Sequence, residues 1–318
     1  LLPEIEQQGQ PVHIVAHSMG GLVVRAMIAD GGRGAAQWRR IISLPNSRFM
    51  MLGTPNLGSY EAVRWLTGHN PTQAKLSLLD MRHSTDEIIG IVNCFPGLLE
   101  LLPFDAASPD FTRPNLWTDL KLQLAARWNP ADASGLTQAR GTWDFLKQAM
   151  PDPQHMIYVA GCQDATVVDY QLADYDEPHL ADRKRLEFIA THEGDGTVTW
   201  ASGRLPDVPT WYVENTAHDE LCKNKRAFPG YLELLTKGTT THLPSVPPAR
   251  ARAQAGEPER FVLPTLPPTD DIPDEASLQQ VGFGITRPFD EDAGQGVPVV
   301  QITLRHGNLA YSKYPVMV

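Results

Sequence analysis

Cysteine is scarce in this chain: Cys94, Cys162 and Cys222 are the only three in 318 residues. An odd, widely spaced set argues against a disulfide framework. It reads as free thiols in a reducing compartment, with one bridge plus one free thiol as the other arrangement open to three cysteines. A cytoplasmic location is the expectation that follows. Basic runs are missing too, and the formal net charge is −10. A surface of that sign disfavours nucleic acid and other polyanions as partners. No apolar stretch approaches the roughly 18–20 residues of a transmembrane helix. The histidines show no ligand spacing such as H-E-x-x-H, so metal-dependent hydrolysis has no support and no cofactor or metal is expected. No internal repeat is visible. Leu1–Leu2–Pro3 offers neither an initiator Met nor the basic and apolar regions of a signal peptide, so the chain reads as beginning inside a longer protein.

What is present suits a globular protein. The chain is 42% hydrophobic and 20% charged, enough to bury one large core or two smaller ones. Val12 to Ala16 is a short apolar run, His17–Ser18–Met19–Gly20–Gly21 a turn, and Gly21 to Ala29 a helical pattern. A second strand is expected from Ile41–Ile42 to Leu52, closed by Gly53–Thr54–Pro55. Strands alternating with helical patterns imply βαβ units and a mostly parallel sheet, hence an α/β fold. From about 60 to 153 the sheet signal vanishes into a Leu-, Trp- and Pro-rich segment with helical patches at Trp117 to Trp128 and Thr142 to Met150. Strand character returns at Met156 to Ala160 and Thr210 to Glu214. Beyond His242 prolines accumulate, and a stretch of that kind reads as an extended linker. The expected organisation is a core over 1–242 with a helical cap insertion over about 60–153. A Pro-rich linker follows over 243–280, then the start of a further, truncated β-containing domain over 281–318.

The strongest chemical signal is Ala16–His17–Ser18–Met19–Gly20–Gly21. A sharp strand-to-helix turn holds a serine hydroxyl clear of a sheet by forcing the serine into a strained backbone, and it tolerates only small residues two positions to either side. Ala16 and Gly20 are small. The helix that follows points its N-terminus and the Met19 N–H at the place where an oxyanion would form. His17, next to the serine, is expected to point away from it and to pack or line a pocket.

In this fold the nucleophile is followed along the chain by an acid and then a histidine, each on a loop after a strand. His218 lies four residues past the Trp211–Glu214 run, whereas His192 and His242 follow no strand so closely. Gly194–Asp195–Gly196 supplies a carboxylate between two residues that let the backbone turn, one strand before His218; Asp164 is the rival. Ser18 as nucleophile, Asp195 as acid and His218 as base is therefore the expected set.

Taken in order, four segments resemble the lipase and lecithin:cholesterol acyltransferase-like branch of the α/β-hydrolases. They are Ala16 to Gly21, Gly53–Thr54–Pro55–Asn56–Leu57–Gly58–Ser59, Gly194 to Val198, and Ala217–His218–Asp219–Glu220–Leu221. A fifth, Phe95 to Pro103, is similar to the cap of that branch. The resemblance covers about residues 12 to 240, and Ala16 departs from the commoner Gly. It implies a Ser-Asp-His enzyme with Met19 as one oxyanion donor and the second on a His-Gly loop upstream of Leu1, without which inactivity of the fragment is an expectation. It implies nothing specific about substrate. The cap tryptophans Trp65, Trp117, Trp128 and Trp143 suit a lipid or other hydrophobic acyl ester, the alternative being that they pack the cap itself. Hydrolysis and acyl transfer share one acyl-enzyme, and a non-catalytic hydrolase-fold module of a multidomain protein is the reading from another class. Contact with missing N- and C-terminal domains of the same protein is also expected.

Overall fold

In the computed structural model the described residues are 7–79, 82–105, 108–176, 178–248 and 260–263, with the backbone of 284–286, 299–303, 305–306, 309–310 and 314–317. Two compact units are present, Leu1–Thr265 and Leu266–Val318.

The first unit is built on four parallel strands: β1 (His13–His17), β2 (Arg48–Leu52), β3 (Met156–Gly161) and, after a two-strand insertion, β6 (Thr210–Val213). They lie in the order β1-β2-β3-β6, in register from His13 opposite Arg48 to Gly161 opposite Val213. The two middle strands are covered on both faces, which is why they read as continuous apolar runs rather than alternating ones. One face carries Phe49, Met51, Met156 and Tyr158 with Trp38 and Trp200. The other carries Met50, Leu52, Ile157 and Val159 with Tyr231 and Leu234 of a C-terminal helix.

Helix α1 (Met19–Ala29) leaves β1 at once, two residues earlier than the sequence pattern suggests. The expected strand from Ile41 is instead the end of α2 (Arg33–Ile42). Trp38 and Ile41 are both buried, three residues apart on one helical face, and that pairing serves the core better than an extended chain. Only Arg48–Leu52 is strand.

Between β2 and β3 the described residues form six helices: α3 (Tyr60–Leu66), α4 (Pro71–Leu79), α5 (Thr85–Val92), α6 (Pro96–Leu99), α7 (Pro114–Gln123) and α8 (Ala133–Leu146). Their starts follow local chemistry. Pro114 occupies the first turn of α7, and the Asp132 side chain caps α8 by accepting from the Gly135 N–H. Both helices therefore begin ahead of the apolar patches at Trp117 and Thr142.

Sequence patterning did not anticipate the antiparallel hairpin of β4 (Thr166–Asp174) and β5 (Lys184–Thr191), which completes this layer. Val167, Leu186 and Phe188 share a core with Tyr60, Leu99 and Trp117. Within the proline-rich stretch, β7 (Arg260–Val262) pairs with β5. Residues 249–259 and 264–280 of the expected linker lie outside the described residues. Helix α9 (Trp200–Gly203) precedes β6, and α10 (Phe228–Lys237) follows it. No helix among the described residues is long and apolar enough to cross a membrane.

In the second unit, Val299–Thr303 pairs antiparallel with Gly284–Thr286 and Tyr314–Met317, and Arg305–His306 pairs with Leu309–Ala310.

Candidate active site

All the site's chemistry stands at the C-terminal ends of the parallel strands. Ser18 sits between β1 and α1 with φ 55° and ψ −132°, a region that disfavours every residue with a Cβ. The strain is over-determined by its surroundings. The Ser18 N–H donates to the Leu52 carbonyl at 2.9 Å, and Ala16 Cβ lies 3.7 Å from where a side chain on Gly20 would begin. Gly21 is demanded by a different neighbour: a Cβ there would stand 2.1 Å from Thr54 Oγ1. The Met19 N–H opens α1, where no intrahelical acceptor exists for it, and is free in principle to receive negative charge.

Two loops bring the other groups to the serine. His218 Nε2 lies 2.8 Å from Ser18 Oγ, and His218 Nδ1 lies 2.8 Å from Asp195 Oδ2. A carboxylate oxygen accepts, so Nδ1 carries the proton and Nε2 presents its lone pair to the serine hydroxyl. Asp195 is 2% exposed. Its second oxygen accepts from the N–H groups of Thr197 at 3.0 Å and Val198 at 2.7 Å. The buried carboxylate thus has its lone pairs engaged, as burial of a charge requires. The His218 N–H donates to the Asp195 carbonyl at 2.9 Å, and Thr216 exchanges backbone hydrogen bonds with Cys162 at the end of β3. The loops of Asp195 and His218 are therefore sewn to each other and to the sheet.

The rival residues are elsewhere engaged. His192 Nδ1 bonds the Asp164 carbonyl oxygen, and His242 Nε2 stands 3.8 Å from Glu233.

Several further residues hold this arrangement. His17 Nε2 lies 2.7 Å from the His218 carbonyl oxygen, so its ring packs against the backbone of the His218 loop. Gly53, with φ 58°, passes under the Asp195–His218 pair: a Cβ there would lie 2.8 Å from Asp195 Oδ2 and 3.0 Å from His218 Nδ1. Asn56 is buried and donates to the Gly203 carbonyl at 2.6 Å. Arg25 Nη1 donates to the Asn56 carbonyl and Oδ1, each at 3.2 Å, and its Nη2 donates to the Leu146 carbonyl at 3.1 Å. Burial pushes this guanidinium down to about 10. Ser59 Oγ donates to the Thr197 carbonyl and accepts from the Glu61 N–H, so the first cap helix is anchored to the acid loop. The Gly53–Ser59 segment was legible as a motif, but its duties were not.

The four tryptophans sit in the cap. Trp117 is 1% exposed and donates through Nε1 to the Phe111 carbonyl at 2.8 Å. Trp143 stacks on Phe104 with centroids 5.1 Å apart and packs with Leu22 of α1. Trp128 is buried and Trp65 half-buried. Trp117 and Trp143 thus pack against neighbouring apolar side chains. Among the described residues no group of three or more His, Cys, Asp or Glu is placed to hold a metal ion.

A parallel sheet bearing a strained serine at one strand end, with acid and histidine on later strand-end loops, is the α/β-hydrolase fold. Residues 4–139, the segment with Ser18 and most of the cap, match the family model for lecithin:cholesterol acyltransferase. Two solved structures are similar at low identity. A Bacillus licheniformis lipase shares 15% identity with a TM-score of 0.34, over 74% of this chain and 70% of that one. The Tle4–Tli4 complex shares 15% identity with a TM-score of 0.44, over 71% of this chain and 61% of that one. No curated protein matches the chain.

Proposed function

We propose that the chain is a serine hydrolase for an ester with a hydrophobic acyl group, working through an acyl-enzyme on Ser18. The observation that carries the reading is the unbroken relay from Ser18 Oγ to His218 Nε2 and from His218 Nδ1 to Asp195 Oδ2, each at 2.8 Å. The match of residues 4–139 to a family named for acyl transfer from a lipid supports the substrate class.

In this account Ser18 Oγ attacks the acyl carbon as its proton passes to His218 Nε2, and Asp195 stabilises the imidazolium that results. The Met19 N–H faces the developing oxyanion. The imidazolium then returns the proton to the departing alkoxide, leaving an alcohol and an ester on Ser18. Water or a second alcohol, deprotonated by the same imidazole, releases the acyl group as an acid or a new ester. The choice between hydrolysis and transfer lies with the acceptor that reaches the acyl-enzyme.

Steady-state hydrolysis of 4-nitrophenyl esters of increasing acyl length tests the reading. Ser18→Ala is expected to lower kcat by on the order of 10⁵–10⁶-fold. Turnover that survives the substitution contradicts it.

A further inference from the structure

Asp195 stands shortly after β5: the strand ends at Thr191, and His192, Glu193 and Gly194 lead straight to the carboxylate. Its place therefore depends on what holds the end of that strand. One edge of β5 is paired with β4, and the other is covered by β7, which the chain supplies from beyond α10. Ala190 stands opposite Phe261 and Thr191 opposite Arg260. One residue past β7, the Leu263 N–H donates to the Phe188 carbonyl at 2.8 Å, which pins the register.

Exposure alternates along this segment. Arg260 and Val262 face outward, whereas Phe261 and Leu263 are half-buried. Leu263 packs into the cluster of Tyr60, Leu99 and Phe188. Phe261 has a different neighbour. Ala190 and His192 are two residues apart and so share a face, and a side chain opposite the first reaches the second on the diagonal. The rings of Phe261 and His192 accordingly lie with centroids 5.0 Å apart, tilted by 35°.

His192 is also committed at its polar end. Its Nδ1 bonds the Asp164 carbonyl oxygen, which can only accept, so Nδ1 carries the proton. The residue before Asp164, Gln163, donates its N–H to the Gly194 carbonyl at 2.8 Å. His192 thus clamps the turn after β3 against the loop of Asp195, and the Phe261 ring packs on the clamp.

We propose that Phe261 is a positioning residue for the reaction: stacked on His192, it fixes the loop that aims the Asp195 carboxylate at His218. The inference rests on the proposed function, in which that carboxylate stabilises the imidazolium. It makes a segment from beyond the last helix of the first unit part of the support for Asp195. A contact of this kind acts on the step in which charge develops on His218 and leaves substrate binding alone, so its loss shows in kcat and not in KM.

Steady-state hydrolysis of 4-nitrophenyl butyrate by the full chain tests the inference. Phe261→Ala is expected to lower kcat by roughly three- to tenfold, the worth of one aromatic pair, with KM within about twofold of wild type. Phe261→Tyr keeps the ring and recovers most of the loss. His192→Ala lowers kcat in the same measure, and the double variant loses no more than either alone, because both changes break one contact. That second position also carries the test if Phe261→Ala does not fold. Unchanged kcat in Phe261→Ala and His192→Ala, losses that multiply in the double variant, or a loss that Phe261→Tyr does not recover overturns the inference and leaves the hydrolase reading standing. Wild-type protein that neither turns over the ester nor takes a fluorophosphonate on Ser18 overturns both.

Discussion

His17 reaches across to the loop of His218: its Nε2 donates to the His218 carbonyl oxygen at 2.7 Å, and the two ring centroids lie 4.8 Å apart. A carbonyl oxygen can only accept, so the proton sits on Nε2 of His17. The residue before the serine thus holds the backbone of a residue 201 positions away. His17→Phe keeps a ring but loses the donor. Its expected cost is a five- to tenfold fall in kcat, roughly one net hydrogen bond, with little change in KM. His17→Gln keeps a donor and is expected to recover most of the loss, as ester kinetics on the two variants would show.

Gly53 is the second point of tension. Gly53→Ala puts a methyl group 2.8 Å from Asp195 Oδ2 and 3.0 Å from His218 Nδ1, on a backbone at φ 58°. The strain of such a conformation is about 1–3 kcal/mol, and the carboxylate and imidazole must also part to make room. Activity is expected to fall at least a hundredfold while the melting temperature drops only a few degrees. A variant with normal kcat would show that the acid–base contact does not depend on this bare backbone.

Arg25 ties α1, the helix after Ser18, to the start and the end of the cap insertion, through Asn56 and Leu146. It is buried, and no carboxylate pairs with it among the described residues. Arg25→Met leaves three buried carbonyl-type oxygens without their donor, and a loss of about 1–3 kcal/mol is expected in urea unfolding. Arg25→Lys is not expected to restore it, since one ammonium cannot span the same acceptors.

The sequence was most informative where a backbone demand and a chemical demand fall on the same few residues. A small residue two positions either side of Ser18, and glycines flanking Asp195, are visible without coordinates because the turns themselves exclude other side chains. The strand before His218 was visible because it is buried on both faces. The contacts of His17, Gly53 and Arg25 were hidden for a physical reason: each depends on which distant segment lies opposite, and no local pattern encodes that. The tryptophans show the converse. Their size made them candidates for a substrate wall, yet a ring such as Trp117, in a cluster with Phe111, Leu99 and Leu136, gains as much by filling the cap. The β4–β5 hairpin was missed because its polar and mixed positions, Asp169 to Gln171 among them, interrupt the alternation that marks a strand.

His69, just past α3, has its imidazole pushed down to about 4, first by burial and then by the Arg64 guanidinium, against a bond to the Thr67 carbonyl that acts the other way. The folded state favours the neutral ring, while the unfolded chain takes up a proton near the ordinary histidine value of about 6.5. Its contribution to stability is therefore present above about pH 6.5 and lost as pH falls toward 4, with a slope of up to about 1.4 kcal/mol per pH unit. His69→Gln is expected to flatten that part of the profile in denaturant titrations at stepped pH. An unchanged slope would place the acid sensitivity in other groups.

The central claim is that one imidazole activates one serine. The most direct measurement is the rate at which a fluorophosphonate probe modifies the protein, followed by mass mapping of the adduct. The account predicts a single adduct on Ser18, no adduct in Ser18→Ala, and labelling slowed by on the order of 10³-fold or more in His218→Ala. Labelling at another residue, or a rate indifferent to the loss of His218, would contradict it.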